Sequence, residues 1–236
     1  VSKVTRQTLT TDSDTGRSVT SRRSARRFAV AVAATLSFGA GAVAVPSSVQ
    51  AAPAAVALPS ARLADPASDL ATRARTLIAA GAAGDSRAMM RYAIVRNRLA
   101  ETVADRLGLD RREMKRAWRQ ASLTHQHALV AALSQLGVPY RSMTSVEGQG
   151  FDCSGLTFFA WSVAGHSLTR SSGTQIAAAA SRTYDTAQAG DLVQYPGHVM
   201  MYLGVADAVV HSPYTGRWVE VRRLGERSVR LGNPIA

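Results

Sequence analysis

Helical spacing governs the middle of this chain up to Gly137-Val138-Pro139, and the second half passes through a loop and two shorter helices into β-prone runs in close order; no purely helical or purely sheet architecture accommodates both. Ala88, Tyr92, Val95, Leu99, Val103 and Leu107 recur at steps of three or four, with Gly108 as a stop. Asp110 followed by Glu113 is a capping-box start for a helix over Arg111 to Ala121, with Met114, Ala117, Trp118 and Ala121 on its inward stripe. Leu129, Ala132, Leu133 and Leu136 form another stripe, closed by Gly137. After a loop from Pro139 to Gly150, Cys153 to Ala164 reads as a helix with Asp152 at its cap and Gly165 at its end, and a short helix is expected over Ser172 to Ser181. Leu192 to Tyr195, Val199 to Leu203, Ala208 to His211 and Trp218 to Arg222 then read as an antiparallel meander. Helices set apart from an antiparallel sheet make the fold class α+β.

The N-terminus sets the compartment. Arg22-Arg23-Ser24-Ala25-Arg26-Arg27 precedes an uncharged, Ala/Val-rich run from Phe28 to Val45, and Val49-Gln50-Ala51 offers small residues before Ala52. This is the order of a secretory signal, residues 1–51. The run is also long enough to remain as a membrane anchor. Either way the folded part is expected outside the cytoplasm.

Residues 52–66 are an Ala/Pro/Ser linker, too poor in large apolar residues to fold alone. The expected division is then a basic helical segment over 67–121 and a second domain over 122–236. Seven of the 28 basic and two of the 16 acidic residues lie in the leader, leaving net +7 beyond it. That charge sits mostly on the helical segment, which suits attraction to an anionic wall polymer or membrane surface and equally suits a solvated helix face.

The chain has a single cysteine, so no disulfide framework can brace it. A thiol left free in an oxidising compartment is a liability unless it is used. Placed at the first turn of a helix, Cys153 meets the positive end of the helix dipole and free backbone N–H groups, which favour the thiolate and can hold an oxyanion. Of five histidines, His198 follows Gly197 at the mouth of one strand and His211 ends the next. A two-residue turn at Gly204-Val205 would set these two directly opposite one another, on one face, so that one imidazole orients the other. His125, His127 and His166 read as ordinary. Cys153, His198, His211 and Asp152 include zinc-ligand types, but no Cys-x-x-Cys or His-x-x-x-His spacing occurs, so neither metal nor cofactor is expected. The junction at Leu107-Gly108-Leu109 before the basic helix has the outline of a helix-turn-helix, yet the export signal and the thiol argue against nucleic acid as a partner.

Several ordered pieces together resemble a family. Asp152-Cys153-Ser154-Gly155-Leu156, Arg170-Ser171 with Gln175, Gly190-Asp191-Leu192-Val193, Gly197-His198-Val199 through Gly204, and Val209-Val210-His211-Ser212-Pro213 are similar to motifs of the bacterial NlpC-type cell-wall cysteine peptidases, which have a papain-like fold. The resemblance covers about half the chain. It implies Cys153 as nucleophile, His198 as base and His211 as the residue orienting it. It further implies that Tyr140 lines the site and helps the Cys153 N–H at the oxyanion, and that Asp152 and Ser154 touch the substrate's free amine, although simple helix capping explains both equally. The implied substrate is a peptidoglycan stem peptide, cut between D-glutamate and a diamino acid; a scaffold protein on a decayed peptidase fold is the alternative. Two departures stand out: Arg141-Ser142-Met143-Thr144 replaces a Trp-Gly-Gly type loop after Pro139-Tyr140, and Met200 replaces a small residue. The segment before His211 is also about one residue longer than usual, which puts the two-residue register in question.

Overall fold

The computed structural model describes residues 62–235. The expected leader over 1–51, with its apolar run, and residues 52–61 of the linker lie outside the described residues. Helix α1 (Pro66–Ala82) begins where Asp65 accepts from the N–H of Ala67 at 2.9 Å and Pro66 occupies the first turn, a position that wants no N–H. Helix α2 (Ser86–Leu107) is capped by Asp85 and ends at Gly108, whose φ of 65° is the left-handed conformation that closes a helix. Its buried residues include Ala88, Tyr92, Val95, Leu99 and Val103, the stripe read from spacing. Helix α3 (Arg111–Gln120) starts with Asp110 accepting from the N–H of Glu113 at 2.7 Å and buries Met114 and Trp118. Helix α4 (Leu123–Leu133) is buried along most of its length. None of the helices among the described residues is long and apolar enough to cross a membrane.

Two short strands, β1 (Ser145–Val146) and β2 (Gly150–Phe151), lead into α5 (Cys153–Val163), followed by α6 (Ser172–Ala178) and β3 (Ala180–Arg182). A meander then runs through β4 (Leu192–Tyr195), β5 (His198–Tyr202), β6 (Ala208–His211) and β7 (Glu220–Arg223), and β8 (Arg230–Asn233) crosses back to pair between β4 and β3. Strands β3 to β8 form one antiparallel sheet in the order β3-β8-β4-β5-β6-β7. The α+β expectation is met: N-terminal helices precede a sheet on which the cysteine-bearing helix packs.

Alternation along the central strands sends Leu192, Val199, Met201 and Val210 into the main core, and Val193, Met200, Tyr202 and Val209 into a smaller cluster. The main core is continuous from Ala67 on α1 through Trp118, Leu129 and Trp161 to Val221 on β7. Each fully buried large side chain in it contributes about 1.5–3 kcal/mol of transfer free energy. Trp118 adds a polar tie, since its indole N–H donates to the carbonyl of Leu203 at 2.8 Å, at the bend between β5 and β6.

That bend differs from the expected one. Met201 pairs with Val210 and Tyr202 with Val209, and the Leu203 N–H donates to the Ala208 carbonyl at 2.9 Å, so residues 204–207 form the connection in place of a two-residue turn. Gly204 (φ 84°) and Ala206 (φ 50°) supply the left-handed conformations that the longer loop needs. The register is thereby displaced by two residues. A displacement by an even number keeps every side chain on its face, so His198 and His211 remain neighbours, diagonal instead of directly opposite.

Candidate active site

Asp152 organises the tip of α5. Its Oδ1 accepts the Gly155 N–H at 2.7 Å, which caps the helix, and the Ser154 hydroxyl at 3.3 Å. Arg170 donates to both oxygens of the same carboxylate, at 2.8 and 2.7 Å, and also to Ser154 Oγ at 2.8 Å and the Thr144 carbonyl at 3.1 Å. Two parallel N–H···O bonds fix orientation as well as distance. Gln175, buried, holds the next layer: it donates to the carbonyls of Ser154 and Thr169 and accepts from the Thr157 hydroxyl at 2.7 Å. Met143, Asp152, Ser154, Arg170 and Ser171 line an open cleft beside this tip. Met143 stands at its lip, 89% exposed and with φ of 56°.

Cys153 is half-buried in the first turn of α5, where helix geometry leaves backbone N–H groups without an intrahelical acceptor. Tyr140 lies close by. Its phenol is pushed above the ordinary range by burial first and then by Asp152 and Cys153, and so stays a proton donor.

The histidines arrive on the sheet. Pro196-Gly197 turns β4 into β5 with Gly197 at φ 84°, so the pair Tyr195 and His198 closes a two-residue hairpin. His198 Nε2 lies 2.8 Å from His211 Nδ1, with the rings edge-on at 5.1 Å between centroids. Tyr195 flanks the His198 ring at 5.2 Å. Burial, then His211, Arg222 and Arg227, pull His198 down to about 4, so its ring is neutral above that pH. Helix α5 packs against β5, and Ser212, next to His211, donates to the Phe151 carbonyl at 2.7 Å, tying the end of β6 to the segment that delivers Cys153. Thus His198 and His211 meet directly, as do Asp152, Ser154 and Arg170, while Tyr140 sits within the electrostatic reach of Asp152 and Cys153.

Sequence reasoning overlooked Glu220, which pairs directly across from His211 with Oε1 3.5 Å from His211 Nε2. A hairpin centred on the turn residues Thr215-Gly216 would have matched those two positions. It also took His125 as ordinary. That ring is buried, with Nε2 3.0 Å from Asp191 Oδ1 and 3.2 Å from Asn233 Oδ1 and Nδ1 2.7 Å from Ser122 Oγ, and it joins α4 to β8 and to the residue just before β4. Among the described residues no group of three His, Cys, Asp or Glu side chains is arranged to hold a metal ion.

Residues 137–230, which include Tyr140, Cys153, Arg170, His198, His211 and Glu220, match the model of the NlpC/P60 family. The P60 domain of an antigen from M. avium subspecies paratuberculosis is 30% identical, covering 50% of this chain and 98% of that one, with a TM-score of 0.42. The chain belongs to the NlpC/P60 family. Among curated NlpC/P60 relatives, the gamma-D-glutamyl-L-lysine dipeptidyl-peptidase of Bacillus subtilis is 34% identical over 99 residues, 39% of this chain and 33% of the relative. A probable endopeptidase of Corynebacterium glutamicum is 39% identical over 95 residues, 39% of this chain and 44% of the relative. The chain therefore spans between a third and under a half of these two relatives. RipD from Mycobacterium tuberculosis, described as a non-catalytic NlpC/P60 protein adapted to peptidoglycan binding, is 27% identical over 48% of this chain and 98% of its own, with a TM-score of 0.40.

Proposed function

We propose that this protein is an exported cysteine peptidase that hydrolyses amide bonds in peptidoglycan stem peptides, at the bond between the γ-carboxyl of D-glutamate and a diamino acid. The observation that carries the reading is the 2.8 Å contact between His198 and His211 on the sheet against which the Cys153 helix packs. With Nε2 engaged by His211, the second nitrogen of His198, Nδ1, is the one left for the thiol.

In the first step Cys153 Sγ attacks the amide carbonyl carbon while His198 takes the thiol proton. The tetrahedral oxyanion is held by the N–H of Cys153 and the phenol of Tyr140. His198 then gives the proton to the leaving amine as the C–N bond breaks, which leaves a thioester on Cys153. Water, deprotonated by His198, attacks that thioester, and the acid leaves as the thiol is restored. Asp152 and Ser154 receive the free amine of the stem peptide at the cleft beside α5. The relative named as a gamma-D-glutamyl-L-lysine dipeptidyl-peptidase supports this substrate class, and the basic-then-apolar order of residues 1–51 supports export. Exposed Arg87, Arg91, Arg112, Arg116 and Arg119 on α2 and α3 favour an anionic wall or membrane surface nearby.

Incubating the full chain and its Cys153→Ala variant with soluble wall peptides, and weighing the fragments by mass spectrometry, tests the reading. Wild type should release fragments broken after γ-D-glutamate, and the variant should lose at least about a thousandfold in rate. An inactive wild type with a thiol inert to alkylation would point instead to a wall-binding scaffold.

A further inference from the structure

Glu220 stands directly across from His211 on β7, and cross-strand partners share a face of the sheet. Its Oε1 is 3.5 Å from His211 Nε2, a buried nitrogen that has no closer hydrogen-bond partner among the described residues. The guanidinium of Arg217 holds the carboxylate in place. An ionised carboxylate can only accept, so the nitrogen that faces it must carry the proton. A neutral His211 ring protonated there has a bare Nδ1, and a bare Nδ1 at 2.8 Å requires His198 to donate from Nε2. Only His198 Nδ1 then remains unprotonated.

We propose that Glu220 is a positioning residue: through His211 it fixes the tautomers of both imidazoles and leaves His198 Nδ1 bare for the thiol of Cys153. Its kinetic consequence rests on the peptidase reading above; the tautomers do not. The 3.5 Å separation is long for a hydrogen bond, and catalytic contacts of this kind commonly tighten when substrate binds. Without the carboxylate, nothing in the two-ring chain selects one proton arrangement over its reverse, because each contact between neutral imidazoles can run in either direction. Glu220 is also the anion that opposes the surrounding cations. Arg222 faces both rings, Arg227 faces His198 across Tyr195, and Arg217 faces His211.

The test compares the full chain with Glu220→Gln and Glu220→Asp, by histidine ¹⁵N NMR and by kcat and KM against pH on soluble wall peptides. Wild type should show His211 protonated at Nε2 and His198 bare at Nδ1, while Glu220→Gln should show mixed tautomers. Glu220→Gln should lower kcat about tenfold with KM within about twofold, and Glu220→Asp should recover part of the loss. The acid limb of the profile should move to lower pH, since losing an anion makes the imidazolium harder to form. Unchanged tautomers with unchanged kcat and pH profile in Glu220→Gln would overturn the inference. A wild type that cuts nothing, with spectra changing as expected, would sink the peptidase reading and uphold the tautomer assignment.

Discussion

Asp152 is asked to do several things with one carboxylate, and two substitutions separate them. It caps α5 through the Gly155 N–H, anchors Arg170 through both oxygens, and borders the cleft proposed to take the substrate amine. Asparagine preserves the cap, because its side-chain oxygen accepts equally well at that position. Alanine removes cap and anchor together. Asp152→Ala should lower unfolding stability by about 2 kcal/mol, and Asp152→Asn by less than about 1 kcal/mol, since an ion pair to a partly exposed arginine contributes little. Urea unfolding checks both. If the carboxylate meets the substrate amine, Asp152→Asn should also raise KM for stem peptides several-fold at nearly wild-type stability.

At the level of the elements, Gly155 decides how closely α5 approaches its neighbours. A Cβ there would collide with the Thr144 carbonyl oxygen and come within 2.9 Å of Arg170 Nη2. Helix propensity alone favours alanine over glycine by about 1 kcal/mol, whereas overpacking against backbone costs about 1–3 kcal/mol. Steric cost should win. Gly155→Ala should melt at lower temperature and react more slowly with a thiol alkylator at Cys153, both measurable on the purified chain. Elements of this kind were legible where periodicity was long: the stripe of α2, the cap of α5 and three of the central strands follow directly from residue spacing. Strands β1, β2 and β3 were not, because each is two or three residues long and alternation has no room to show, and β8 was not, because Arg230-Leu231-Gly232-Asn233 holds no β-branched or aromatic residue. The β5–β6 bend escaped for a different reason. One of its left-handed positions is Ala206, a residue that gives no turn signal. The His198–His211 contact was legible all the same, since an even slip preserves the face. The partners of His125 were not, because Asp191 and Asn233 lie 66 and 108 residues away and no local pattern links them.

For the molecule as a whole, the buried His198 ring and the half-buried Glu220 carboxylate make folding sensitive to acid in two separate ranges. His198 titrates near 4 in the folded protein against 6.5 in an open chain, so the unfolded state binds the extra proton between those values. Stability should therefore fall as pH drops from 6.5 to about 4, and this group should contribute no further loss below that. Glu220 acts in the same direction at lower pH. The His211 ring and Arg217 hold it down to about 2 against an ordinary 4.5, so its contribution is complete above 4.5 and is lost as pH falls through 2. Urea midpoints measured from pH 7 to pH 2 should show both declines, with His198→Gln flattening the upper one and Glu220→Gln the lower.

The indole of Trp118 grips the bend between the two histidine strands from a helix that lies wholly before the family match. A fragment trimmed to the borders of that match would carry every reactive side chain and lose the clasp that keeps the histidine hairpin seated. The border of the family match is therefore not the border of the folded unit, because α3 braces the bend that joins the strands of His198 and His211.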